Sequence, residues 1–148
     1  MDPISIADFV RQAFDRVDVV VASEANGSPE VSWGDTFFFF GEERHYPMPF
    51  ATIVTKDYPD HDTASALDRP GVFRLNIGLR PEKYATLFPA TPAIHDFTAL
   101  DRLMPHPVYA QQSWVCILNP SDVSFAALHS LLQDAYTLAM ERSKKLST

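Results

Sequence analysis

The chain has 148 residues, 46% of them hydrophobic and 21% charged, the proportions of one globular domain spanning 1–148. Its net charge of −7 and pI near 5.0 argue against a nucleic-acid binder, which gains affinity by neutralising phosphates with Lys and Arg. A single cysteine, Cys116, precludes an intramolecular disulfide; no secretory pattern follows Met1 and no stretch approaches the roughly 18 apolar residues of a membrane helix, so a cytoplasmic protein is expected.

In chain order, Ile6, Phe9, Val10, Ala13, Phe14 and Val17 recur at three- and four-residue spacing, which predicts a helix from about Ser5 to Arg16 with Ser5 as N-cap. Asp18 to Ala22 reads as a β-branched strand, and Asn26-Gly27 breaks the pattern as a turn. Asp35 to Phe40 (DTFFFF) follows as a strand covered on both faces, or one whose outer face meets a helix or a partner. A polar connection over Gly41 to Pro49 leads to a third strand, Phe50 to Lys56, paired with the Phe strand as a hairpin. Asp57 to Pro70 is the most acidic loop, with one helical turn near Thr63 to Leu67. Phe73 to Leu79 alternates apolar residues against Arg74, Asn76 and Gly78, the pattern of a half-buried strand.

Pro81 opens a short helix to about Phe88, broken by Pro89 to Pro92. A looser connection with a helical turn around Phe97 to Leu103 reaches the last strand, Ser113 to Leu118. One helix then runs from Ser121-Asp122 to about Lys145, with Phe125, Leu128, Leu131, Leu132, Ala135, Leu138 and Ala139 as its core stripe. The fold class is therefore α+β: a single antiparallel sheet of about five strands, with N-terminal and long C-terminal helices packed on one face.

The segments FRLNIGL, PEKYATLF and PHPVYAQQSWVCI, followed by an amphipathic helix ending LLQDAYTLAMERSKK, resemble the MmcQ/YjbR-like proteins. The matching positions are Leu75, Asn76, His106, Tyr109, Trp114 and Tyr136. WGDTFFF, PFATIVTKD, LDRPGVFRLNIG and MPHPVYAQQSWVCILNPS resemble, over nearly the whole chain, a bacterial family described only as a domain of unknown function. The first resemblance implies a frataxin-like α+β fold and, for some of its members, DNA binding. This chain departs from that role in its acidity and in having no basic cluster near His106.

The best candidate site is Pro105 to Trp114, where His106, Tyr109 and Trp114 gather an imidazole, a phenol and an indole before a core strand, with two prolines stiffening the approach. Lys56, Arg74 and Asn76 lie on strands where they can share one sheet face and, with His106, hold an anion. The plain alternatives are core packing for the aromatics and a solvated sheet face for the charges. Asp57, Asp60, His61 and Asp62 read as a solvated acidic loop, Cys116 as a buried inert thiol, and His45, His95 and His129 as isolated structural or solvated histidines. Phosphate-binding glycine patterns, zinc spacings and a nucleophile elbow are all missing, so no cofactor and no metal are expected. These residues predict a non-catalytic binding or interaction domain with a shallow pocket near His106–Trp114, its partner a small molecule or a protein, the chain a monomer or a homodimer. The alternatives are an enzyme using His106 as acid or base, with Asp101 its nearest carboxylate in sequence, and a nucleic-acid-binding domain, which the charge disfavours.

Overall fold

The computed structural model describes residues 1–41, 48–89 and 94–146. His45 and Pro92, with the connections around them, lie outside the described residues. Helix α1 covers Pro3–Ala13. Its cap is Asp2 rather than the expected Ser5: the Asp2 carboxylate accepts the Ser5 N–H at 2.8 Å, and Pro3 occupies the first turn, where its missing N–H is harmless.

Strands β1 (Val17–Val21), β2 (Thr36–Phe40), β3 (Ala51–Val54), β4 (Arg74–Gly78), β5 (Met104–Pro105) and β6 (Trp114–Leu118) form one sheet among the described residues, in the order β1-β2-β3-β4-β6-β5. Every neighbouring pair is antiparallel, and β2 and β3 are paired as expected. The sheet has six strands, not about five, because β5 is two residues long and ends in proline, too short to show alternation. The four consecutive Phe residues divide by strand parity: Phe38 and Phe40 are buried, while Phe37 and Phe39 on the other face are half-buried.

Helix α2 spans Pro81–Leu87, and the single C-terminal helix expected from the apolar stripe is two, α3 (Asp122–Ala127) and α4 (His129–Leu146), divided at Leu128. The expected turns of helix at Thr63–Leu67 and Phe97–Leu103 are plain turns and bridges; Leu100 instead makes an isolated parallel bridge to Leu118.

Alternation assigns the two faces of the sheet. Leu75 and Ile77, with Ala51, Ile53, Phe38 and Val115, face a core completed by Ile6 and Val10 of α1 and by Leu131, Leu132, Ala135 and Ala139 of α4. The helices thus cover one face, as expected. Loops cover the opposite face around β4 and β6, where Val54, Cys116 and Leu118 pack against Leu67 and Met104. Strand β4 is consequently buried on both sides, not half-buried: Arg74, Leu75, Asn76 and Ile77 are all inaccessible. Its polar residues face protein rather than water, and that fact positions the candidate site.

At the end of β4, Gly78 pairs with Trp114, and a Cβ on residue 78 would sit 2.8 Å from two carbons of the indole ring. Gly78→Ala is therefore expected to destabilise by about 1–3 kcal/mol through overpacking, with most of the loss recovered in the Gly78→Ala/Trp114→Leu double variant. Urea denaturation of the three variants checks both parts.

Candidate functional site

An arginine in the middle of a doubly covered strand must find partners for five N–H donors, because a buried, unpaired charge is far too costly. Arg74 finds partners for four of them on two segments, and a third segment brings an imidazole against it. The loop before β4 supplies Asp62, whose two carboxylate oxygens lie 3.1 and 2.5 Å from Nη1 and Nη2 in a bidentate pair, and Ser65, whose hydroxyl accepts from Nη1 at 2.9 Å. The strand itself supplies Asn76, whose Oδ1 accepts from Nε at 2.8 Å while its Nδ2 donates to the Thr52 hydroxyl on β3 at 2.9 Å. The β5–β6 hairpin supplies His106, with Nε2 3.1 Å from Nη2. No buried side-chain nitrogen or oxygen among the described residues lacks a partner.

The setting of His106 is unusual. Its Nδ1 accepts two backbone N–H groups, from Val108 and Tyr109, both at 3.0 Å. Two amide donors on one ring nitrogen require that nitrogen to carry the lone pair, so a neutral ring holds its proton on Nε2. The 3.1 Å approach of Nε2 to the guanidinium is then a contact between two donors, balanced by the Asp62 carboxylate 4.0 Å beyond. Burial first, and the Arg74 charge second, push the His106 pKa down to about 3, so the ring is neutral at ordinary pH. Burial works to raise the Asp62 pKa, but the hydrogen bonds and charge of Arg74 outweigh it and hold the carboxyl below its usual range. On the same face, burial pushes the Cys116 thiol up to about 12, which keeps it protonated and unreactive.

Above this layer the segment turns outward. The His106 N–H donates to the Trp114 carbonyl at 3.0 Å, and Ala110–Gln112 form a 3-10 turn that closes the hairpin. Tyr109 stands over the His106 ring at a centroid distance of 4.9 Å, is 39% exposed, and its hydroxyl lies 2.7 Å from Nε2 of the exposed His61. Trp114 is half-buried, and the crevice beside it measures only about 20 Å3, room for a single water.

Five of the six residues singled out in the sequence therefore fall in one neighbourhood: Arg74, Asn76 and His106 in the buried layer, Tyr109 and Trp114 on the hairpin above it. Lys56 does not join them. Its Nζ donates to the Trp33 carbonyl and reaches the buried Asp35 carboxylate at 3.2 Å, a second polar group that also takes in the Thr55 amide and hydroxyl and the Tyr58 hydroxyl. Burial, then the hydrogen bond to Asp35, raises the Tyr58 pKa.

Asp62, Ser65, Thr52 and His61 were not legible as members of the cluster. The acidic loop expected to be solvated is partly internal: Asp62 clamps Arg74, and Asp57 accepts the Leu67 amide at 2.8 Å. Among the described residues, no three His, Cys, Asp or Glu side chains converge as a metal site would require. The nearest carboxylate to His106 here is Asp62, not Asp101, which instead accepts the Ser121 amide at 2.9 Å.

No described helix is long and apolar enough to cross a membrane. No curated protein and no solved structure matches the chain. The family model of DUF6194, described as a family of unknown function, matches residues 1–148, and the chain belongs to that family.

Proposed function

We propose that this protein is a small, non-catalytic binding domain whose recognition surface is the β5–β6 hairpin, with Tyr109 and Trp114 as contact residues and the His61–Tyr109 pair as the polar anchor. The observation carrying this reading is the division of labour in the segment. His106 has Nδ1 committed to two backbone amides, Nε2 against a guanidinium, and 2% exposure, whereas Tyr109 directly above it is open. A general acid or base needs access to its substrate and a pKa near the working pH; His106 has neither. Its role is to hold the Val108–Tyr109 backbone, so that the phenol is presented on a rigid support. With a crevice of only about 20 Å3 beside Trp114, the surface suits a flat aromatic group or a protein segment laid against it rather than an enclosed ligand.

The partner is a small molecule or a protein, and the chain acts in the cytoplasm as a monomer or homodimer. Nucleic acid is disfavoured by the net charge of −7 and by the pairing of Arg80 with Asp134 and Glu141, which removes a cation from the free surface. A relation to the MmcQ/YjbR-like fold is part of the same reading, supported by the antiparallel sheet with helices on one face and by Leu75-Asn76 leading into α2.

Benzamide, a flat aromatic with one hydrogen-bond donor and acceptor group, is the first probe. Titration followed by amide chemical shifts is expected to perturb His61 and Tyr109 to Trp114, and Tyr109→Ala to abolish the perturbation. Shifts confined to other surfaces, or unchanged in Tyr109→Ala, would reject this surface as the binding site.

A further inference from the structure

On the helix-covered face, opposite the Arg74 layer, a cleft of about 290 Å3 opens beside β6. Ile117 of β6, Leu87 of α2, Leu103, Leu128 between α3 and α4, and Leu131 of α4 line it. Ile117, Leu128 and Leu131 are at most 4% exposed, so core residues form part of the wall, and the exposed Asp101, Ala127 and Ser130 line the rest. Its volume lies near the lower end of the roughly 300–1,000 Å3 typical of small-molecule sites, which limits the occupant to a compact ligand.

Polar groups are few, and they are not equivalent. Lys83 of α2 lines the cleft, is half-buried, and has no ion-pair partner among the described residues. The one carboxylate lining the cleft among the described residues, Asp101, already accepts the Ser121 amide, and that bond holds its pKa below the usual value. An anion entering here meets an ammonium with no ion-pair partner among the described residues, whereas a cation meets a carboxylate already accepting the Ser121 amide at the start of α3. Charge complementarity at an apolar wall therefore selects an acid, and a partly desolvated ammonium attracts it more strongly than an exposed one does.

We propose that this cleft binds a small amphipathic carboxylate, its aliphatic body against the leucines and its head group at Lys83. The site is separate from the β5–β6 hairpin surface and does not depend on it. Octanoate, octanol and octylammonium share one chain length and differ only in the head, so calorimetric titration of all three reads head-group selection directly. The expected result is saturable binding of octanoate, tighter than that of octanol, with octylammonium weakest. Lys83→Gln, which keeps a good helix former on α2, is expected to weaken octanoate about five- to tenfold and leave octanol unchanged, while Tyr109→Ala alters neither. Tightest binding by octylammonium, equal binding of octanoate and octanol, an unchanged octanoate affinity in Lys83→Gln, or no saturable octanoate binding would each overturn the assignment.

Discussion

Replacing Asp62 by alanine is expected to lower the unfolding free energy by about 3–5 kcal/mol, the largest effect of any single substitution in the Arg74 layer. The asymmetry of buried ion pairs gives the reason. Arg74 is fully buried, and Asp62 supplies both anionic oxygens of its bidentate clamp. Without the carboxylate, a guanidinium is left with Ser65, Asn76 and a neutral imidazole that offers it no lone pair. The charge can leave only by opening the loop before β4, which would also uncover Leu67, 1% exposed in the native packing. Removing both charges is a different matter: the Arg74→Met/Asp62→Ala double variant is expected to recover a large part of the loss, because an apolar side chain beside Val54, Cys116 and Leu118 needs no counterion. Guanidinium denaturation of both single variants and the double variant tests this, and strictly additive losses would contradict it.

The second large effect concerns pH. In the unfolded chain His106 takes up a proton near its ordinary pKa of 6.5, whereas in the folded protein it does so only near 3. Between those values the unfolded state holds more protons, so stability rises with pH and is lost as pH falls. The contribution is fully present above about pH 6.5 and gone by about pH 3, a span worth roughly 4–5 kcal/mol at about 1.4 kcal/mol per pH unit. From about pH 7 to about pH 5 the expected loss is roughly 2 kcal/mol from this residue alone. Asp62 acts in the same direction lower down. Its folded pKa is depressed, so its contribution is present above the unfolded carboxylate value and lost as pH falls through the folded one. His106→Asn separates the titrating group from the scaffold, since an Asn carbonyl can accept N–H groups two and three residues on, as the imidazole Nδ1 does. That variant is expected to fold and to show a markedly flatter stability profile between about pH 5 and about pH 7.

Much of the fold is written in local periodicity, and the residues it misses share a cause. Alternation in Phe73 to Leu79 identifies β4, and the same parity correctly groups Arg74 and Asn76 on one face. What alternation does not carry is the content of the far side of that face. Polar residues at every second position read as solvent-facing, yet here Asp62 and Ser65 come from a preceding loop whose path no period specifies. Lys56, expected on a strand where it can share a sheet face with Arg74, lies two residues past the end of β3 at Val54, so strand alternation does not direct its side chain, which goes to Asp35. The division of the last helix at Leu128 is invisible because the apolar stripe runs on across it, with Leu128 and Leu131 both buried. His106, Tyr109 and Trp114 were legible as a group because they fall close together in sequence, with Pro105 and Pro107 stiffening the approach to the last strand. Which of the three would be buried was not, because that depends on Arg74, 32 residues earlier.

His106 is a neutral, internal support for Tyr109 rather than a titrating group at the surface. Nitrogen-15 NMR of the histidine side chains, followed across the range from about pH 8 to about pH 5, tests it most directly. The expected result is one imidazole that keeps the Nε2–H tautomer throughout and does not titrate, and that disappears from the spectrum in His106→Asn. A His106 ring that titrates near 6.5, or one that carries its proton on Nδ1, would contradict the account.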